Sequence, residues 1–288
     1  MCELLAMSSL EPATLSISLE AFSERGGLSA PHKDGWGAAF YSGRDARRLR
    51  ETGAASRSSG IRFLNEQEYR SHFVLAHVRQ ATKGAVSLEN TQPFARELGG
   101  RMHVFAHNGD LIGLEEATAA DLGRFRPIGD TDSEHAFCLL LARLEPLWAG
   151  SEAPTLESRL AAVTAFAALL RPFGPANFLY GDSEYLYVHG HQRTQETSGR
   201  IEPPGLYTLC RTCPSRPEGR NPKPIEGLTL GLNEARQRVT LVASVPLTRE
   251  AWEPVEAGEV LAVKAGQIVA RTGAAAPPQP AARPGATA

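Results

Sequence analysis

The sequence predicts an α+β fold in which strands and helices are grouped rather than alternating. Three observations carry this. Short apolar runs bounded by Gly or Asp recur up to residue 107, two helical stretches lie between Thr131 and Pro172, and a second series of strand-like runs follows. A parallel βαβ protein would alternate the two kinds of element.

Taken in order, residues 4–7 form the first strand-like run, directly behind Cys2, and residues 36–41, 73–78 and 102–107 form three more. Thr131-Asp132-Ser133-Glu134 has the Thr-x-x-Glu spacing of a capping box, in which the two side chains cap each other's backbone N–H. Phe137, Leu140, Leu144 and Leu147 continue at helical spacing, and Cys138 falls in that helix's core. Leu156, Leu160, Val163 and Leu170 mark a second helix ending near Pro172. The remaining strands are expected at residues 178–180, 185–189, 206–210, 239–243 and 260–263. Residues 193–205 and 212–227, polar and punctuated by Pro and Gly, are expected to be surface loops. Residues 271–288 are dominated by Ala, Pro and Gly and offer too little apolar surface to offset ordering, so a disordered tail is expected after a single folded unit of residues 2–270.

Composition narrows the function classes. A net charge of −2 gives no electrostatic footprint for nucleic acid or an anionic membrane surface. No apolar run reaches the roughly 20 residues of a membrane helix. Glu3 and Glu11 flank the first apolar stretch, and no basic segment precedes it, so no signal peptide is read and a cytoplasmic protein with reduced cysteines is expected. Cys210 and Cys213 form a lone CxxC with no second pair, which is weak grounds for zinc; no metal or other cofactor is expected.

Chemistry is concentrated in five places. Cys2 follows the initiator Met1, which is normally trimmed before a small residue. The mature chain would then carry a thiol and a free α-amine on one residue, and that amine, with a pKa of roughly 7.7–8.0, is a base near neutral pH. Arg25-Gly26-Gly27 and Pro31 to Gly37 lead into a strand. His77 to Gly84 leaves one, and Arg79 there suits two-pronged recognition of a carboxylate. His107-Asn108-Gly109 ends another strand. It reads either as a hairpin turn or as an amide and a backbone N–H aimed at one oxyanion. Asp132, beside the capping box, either complements the helix dipole or binds an ammonium group. Together these are the parts of a receptor for an amino-acid head group with a nucleophile aimed at a side-chain amide, which fits glutamine or a γ-glutamyl compound.

These residues, with Glu89-Asn90-Thr91-Gln92-Pro93-Phe94, resemble in order and spacing the class II glutamine amidotransferases, members of the N-terminal-nucleophile hydrolases, and most of all their small stand-alone bacterial members. The resemblance covers about the first half of the chain. It implies a four-layer αββα fold with two stacked antiparallel sheets. It implies Cys2 as nucleophile, Asn108 and Gly109 as oxyanion hole, Arg79 with Thr82 for the substrate carboxylate, and Asp132 for its amine. Arg25 matches an Arg near the nucleophile and is placed with the substrate-binding set. Gln80 and Lys83 depart from the Trp and His of many members. The implied reaction is cleavage of the glutamine γ-amide through a Cys2 thioester, with the ammonia either passed to a separate ammonia-accepting synthase chain or simply released. A γ-glutamyl amide hydrolase acting on a larger peptide or thiol derivative, and a non-catalytic subunit that kept the fold, are the alternatives.

Overall fold

A computed structural model describes residues 2–15, 22–27, 32–67, 69–213 and 237–273. Two antiparallel sheets stack face to face. Sheet one has the order β13-β11-β12-β1-β4-β2-β3, formed by β1 (Glu3–Ala13), β2 (Trp36–Ser42), β3 (Asp45–Glu51), β4 (Ser71–Val78), β11 (Tyr207–Cys213), β12 (Gln237–Ala243) and β13 (Glu253–Pro254). Sheet two has the order β15-β14-β8-β7-β6-β5, formed by β5 (Phe94–Leu98), β6 (Arg101–Asn108), β7 (Asn177–Gly181), β8 (Leu186–His189), β14 (Val260–Lys264) and β15 (Gln267–Thr272). A separate ribbon pairs β9 (Arg193–Thr194) with β10 (Ile201–Glu202). The helices include α1 (Ser59–Gln67), α2 (Leu114–Thr118), α3 (Asp132–Leu144) and α4 (Leu156–Leu170).

Strand alternation builds three cores from these layers. Along β1, Leu4 and Ala6 face sheet two and meet Ala39, Leu75, Val104, Ala106, Leu179 and Val188. Leu5 and Met7 face outward and pack with Phe40, Val74 and the α1 residues Ile61 and Leu64. On the far side, Phe105, Phe178, Tyr180 and Tyr187 of sheet two bury the apolar faces of α3 and α4 through Phe137, Leu140, Val163 and Phe166. The layers are αββα, as the resemblance implies. Central strands buried on both faces read as near-continuous apolar runs, and for that reason all nine expected strands are present.

Several expectations are corrected. The capping box is half made: Thr131 Oγ1 accepts from Glu134 N at 3.2 Å, but the Glu134 carboxylate does not turn back to Thr131. It accepts from the N–H groups of Ile128 and Gly129 and pairs with Arg96. Within 193–205, Arg193 is buried and opens the β9–β10 ribbon, so this end is not a surface loop. β15 extends to Thr272, where Leu261 and Val260 of β14 pair with Arg271 and Thr272. Residues 274–288 and most of 212–227 lie outside the described residues. Cys138 is buried in α3 as expected, and Cys210 is exposed on β11.

Candidate active site

One end of the sandwich gathers the residues singled out in the sequence. Antiparallel pairing places the start of β1 against the end of β4, with Glu3 opposite Val78, and the start of β2 against the same residue through Trp36. The end of β12 meets β1 where Ala243 pairs with Leu5. In sheet two, Asn108 at the end of β6 pairs with Asn177 at the start of β7. Ser244 ties the two sheets together here: its Oγ accepts from Leu4 N at 2.9 Å and from Asn108 Nδ2 at 3.4 Å.

The Cys2 thiol is half-buried and held by the backbone of Gln80. Its Sγ lies 3.4 Å from both the N–H and the carbonyl oxygen of that residue. Burial pushes the thiol up to about 11, against the opposing pull of the Gln80 hydrogen bond and the Arg79 charge. A group so placed is a poor nucleophile without a base, because the thiolate is the reacting form. Because Gln80 acts through its main chain, the departure from Trp at this position leaves the contact intact.

Arg79 is buried at the end of β4, and its guanidinium clasps the next turn of chain. Nη1 donates to Ala85 O at 2.9 Å, and Nη2 to Lys83 O at 3.0 Å and Gly84 O at 3.2 Å. These are three contacts from a five-donor fork. Thr82 Oγ1 donates to Asp110 Oδ1 at 2.6 Å, which joins this loop to the chain leaving β6. Lys83 pairs with Glu115 of α2.

Asn108 is fully buried. Its carbonyl accepts from Asn177 Nδ2 at 3.1 Å, while its side-chain Oδ1 has no protein partner among the described residues. Gly109 adopts φ +155°, and a Cβ there would lie 1.7 Å from the Pro175 carbonyl oxygen, so only Gly fits. Asn108-Gly109 does not form a hairpin: the chain runs on to α2, and the partner strand β7 begins only at Asn177. Asp132 opens α3, where a carboxylate complements the helix N-terminus. Its Oδ2 accepts from Leu111 N at 2.6 Å and its Oδ1 from Ser133 N at 2.8 Å, which fixes the segment just after Gly109. His107 Nδ1 meets Ser133 Oγ at 2.9 Å, and burial lowers this imidazole, keeping it neutral.

Arg25 reaches the residue beside the thiol. Its Nη2 pairs with Glu3 at 2.8 Å and with Glu196 of the segment joining β9 to β10. Arg193 also pairs with Glu3, at 3.1 Å, and donates to Ser244 O at 2.7 Å. Cys2 is thus followed by a buried carboxylate held by two guanidinium groups. Removing one partner of such a group costs more than the pair contributes.

The structure therefore brings Cys2, Arg25, Arg79, Thr82, Asn108, Gly109 and Asp132 to one hydrogen-bonded neighbourhood. Ser244, Asn177, Asp110 and Arg193 complete it and were not singled out in the sequence. Ser244 and Asn177 stand at the ends of recognisable strands, but nothing local marks them apart. Among the described residues, no three His, Cys, Asp or Glu side chains are grouped to hold a metal ion, and no helix is long and apolar enough to cross a membrane.

Comparison with known proteins bears on the family and the fold. The family model described as "Glutamine amidotransferases class-II" matches residues 1–286. YafJ of Escherichia coli (strain K12) is 35% identical over 264 residues, covering 90% of this chain and 96% of YafJ. The protein MJ1515 of Methanocaldococcus jannaschii is 31% identical over 272 residues, covering 93% and 71% of the two chains. A crystal structure of a predicted glutamine amidotransferase from Pseudomonas aeruginosa PA01 superposes with a TM-score of 0.65 at 30% identity, covering 93% of this chain and all of that one. The glutamine phosphoribosylpyrophosphate amidotransferase of B. subtilis has the same fold, with a TM-score of 0.57 at 17% identity. This chain spans 47% of that longer protein and aligns over 91% of its own length. The fold is that of the N-terminal-nucleophile amidotransferases, and the chain belongs to the class II glutamine amidotransferase family.

Proposed function

We propose that the mature chain begins at Cys2 and cleaves the γ-amide of glutamine, giving glutamate and ammonia. The convergence of Cys2, Arg79, Asn108, Gly109 and Asp132 on one end of the sandwich carries this reading. The freed α-amine takes the thiol proton, which the raised thiol pKa makes necessary. Sγ attacks the γ-carbonyl carbon, a C–S bond forms, and the carbonyl electron pair moves onto oxygen. Asn108 Nδ2 and the Gly109 N–H stabilise that oxyanion. The C–N bond then breaks, and the amine leaves as ammonia with the proton returned by the α-ammonium. Water adds to the γ-glutamyl thioester, the C–S bond breaks, and glutamate is released.

Arg79 and Thr82 hold the substrate α-carboxylate and Asp132 its α-ammonium. Arg25 belongs to the same set through Glu3, the residue joined to the nucleophile. This half-reaction calls for no metal or organic cofactor. In a cytoplasmic setting, either a separate synthase chain receives the ammonia or the enzyme simply hydrolyses glutamine.

One observation favours a second reading, a γ-glutamyl amide hydrolase with a larger leaving group. The β9–β10 ribbon reaches the site through Arg193–Glu3 and Glu196–Arg25, and so stands where substituents on the amide nitrogen would meet it. The test is glutamate release from glutamine and, separately, from γ-glutamyl peptides, by native protein with a sequenced amino terminus and by Cys2→Ala. Turnover of glutamine by the native chain alone supports the first reading. Turnover restricted to peptides supports the second, and turnover of neither substrate contradicts both.

A further inference from the structure

A cavity of about 250 Å³ lies at the open side of the sandwich, between the edge strand β3 of sheet one and the edge strand β5 of sheet two. It is not built from the candidate catalytic residues. Alternation along β3 places Arg48 and Arg50 on one face, and β5 supplies Arg96. Gly37, opposite Arg50 on β2, makes room for the arginine stem: a Cβ there would lie 2.7 Å from Arg50 Cγ and 2.3 Å from the Gln92 carbonyl oxygen.

Each guanidinium is anchored while keeping donors in reserve. Arg50 Nη1 donates to Leu88 O at 2.9 Å and to Thr91 O at 2.7 Å. Arg48 Nη1 donates to Pro93 O at 3.4 Å. Arg96 donates to its neighbour Ala95 O at 3.0 Å and to Glu134. These anchors occupy at most two of the five donors in each group. The facing carboxylate, Glu134, is already committed to Arg96 and to the N–H groups of Ile128 and Gly129. Among the described residues that line the cavity, only Glu89, at the exposed rim, adds another negative charge. Three cations therefore face less than their own charge in carboxylate. Burial, followed by the charge of Arg48, lowers Arg50 to about 10, and burial followed by Arg96 lowers Arg48.

We propose that this cavity binds a small phosphate monoester, with Arg48, Arg50 and Arg96 around the phosphate and Leu88, Phe94 and Ile128 against its organic part. A tetrahedral dianion can accept from three converging guanidinium forks, whereas one carboxylate offers a single plane and a single charge. The volume is below the usual range of roughly 300–1,000 Å³ for larger ligands, so the organic part is a few carbons.

Calorimetric titration of the full-length native protein at fixed ionic strength tests this, with glycerol 3-phosphate, inorganic phosphate and succinate as probes. The expected result is saturable binding of glycerol 3-phosphate, about tenfold or more tighter than succinate. It should weaken about tenfold or more in Arg48→Gln and in Arg50→Gln, as loss of a charged hydrogen-bonding partner does. The hydrogen bond of Arg48 to Pro93 O is long, at 3.4 Å, so Arg48→Gln should keep its thermal midpoint and separate lost binding from lost folding. Cys2→Ala should bind as the native chain does. Absence of saturable phosphate-ester binding, equal affinity for succinate, undiminished binding in Arg48→Gln, or loss of binding in Cys2→Ala would each overturn the proposal.

Discussion

At Cys2 two demands meet: the thiol must be buried enough to face a substrate, and burial drives it up to about 11. At pH 8 such a thiol is thiolate to only about one part in a thousand, so a chain that retains Met1 should be alkylated slowly by iodoacetamide. Its rate should rise about tenfold per pH unit towards 11. The trimmed chain, with its own amine as base, should react near neutral pH, and peptide-level mass spectrometry of the two forms checks this. Asn108→Ala should lower kcat about 100- to 1,000-fold with little change in KM, as loss of one oxyanion donor does. Arg79→Lys should raise KM about 10- to 100-fold, since a point charge cannot clasp three carbonyls and also grip a carboxylate. Steady-state kinetics separates these two effects. The residues for which such predictions exist were mostly legible in the sequence, because each sits in a short motif at a strand end. Ser244, Asn177 and Arg193 were not, because their roles come from contacts across 51 to 240 residues of chain.

Elements differ in how plainly they announce themselves. β1, β4 and β6 are buried on both faces, and their apolar runs identify them. β3 reads Asp-Ala-Arg-Arg-Leu-Arg-Glu, and its charges hide it from any search for apolar runs. Its place at the sheet edge explains the charge, which discourages pairing with other chains. β15 alternates between exposed and half-buried residues at the opposite edge of sheet two, and it too escapes an apolar-run reading. The helix start at Thr131 was legible, but the Glu134 carboxylate went to Arg96 rather than to the cap, a tertiary choice that local spacing does not carry. Thr131→Ala should therefore cost about 1 kcal/mol, the usual value of one N-cap, and lower the thermal midpoint by a few degrees in a melting experiment. It should also loosen Asp132, the next residue, and so raise KM.

For the whole molecule, the stacked sheets act as a frame that holds strand ends at fixed positions, and the candidate site is assembled from those ends. β15 closes one edge of sheet two through five paired positions along β14. Ending the chain after Gly266 exposes the β14 edge and should lower the melting temperature clearly. The central claim is chemical, that Cys2 opens a γ-glutamyl bond, and acid-quenched mass spectrometry of the trimmed protein mixed with glutamine tests it most directly. A γ-glutamyl adduct on the Cys2 peptide, present in the native chain and absent from Cys2→Ala, is the predicted result. Glutamate release with no adduct on Cys2, or release undiminished in Cys2→Ala, would contradict it.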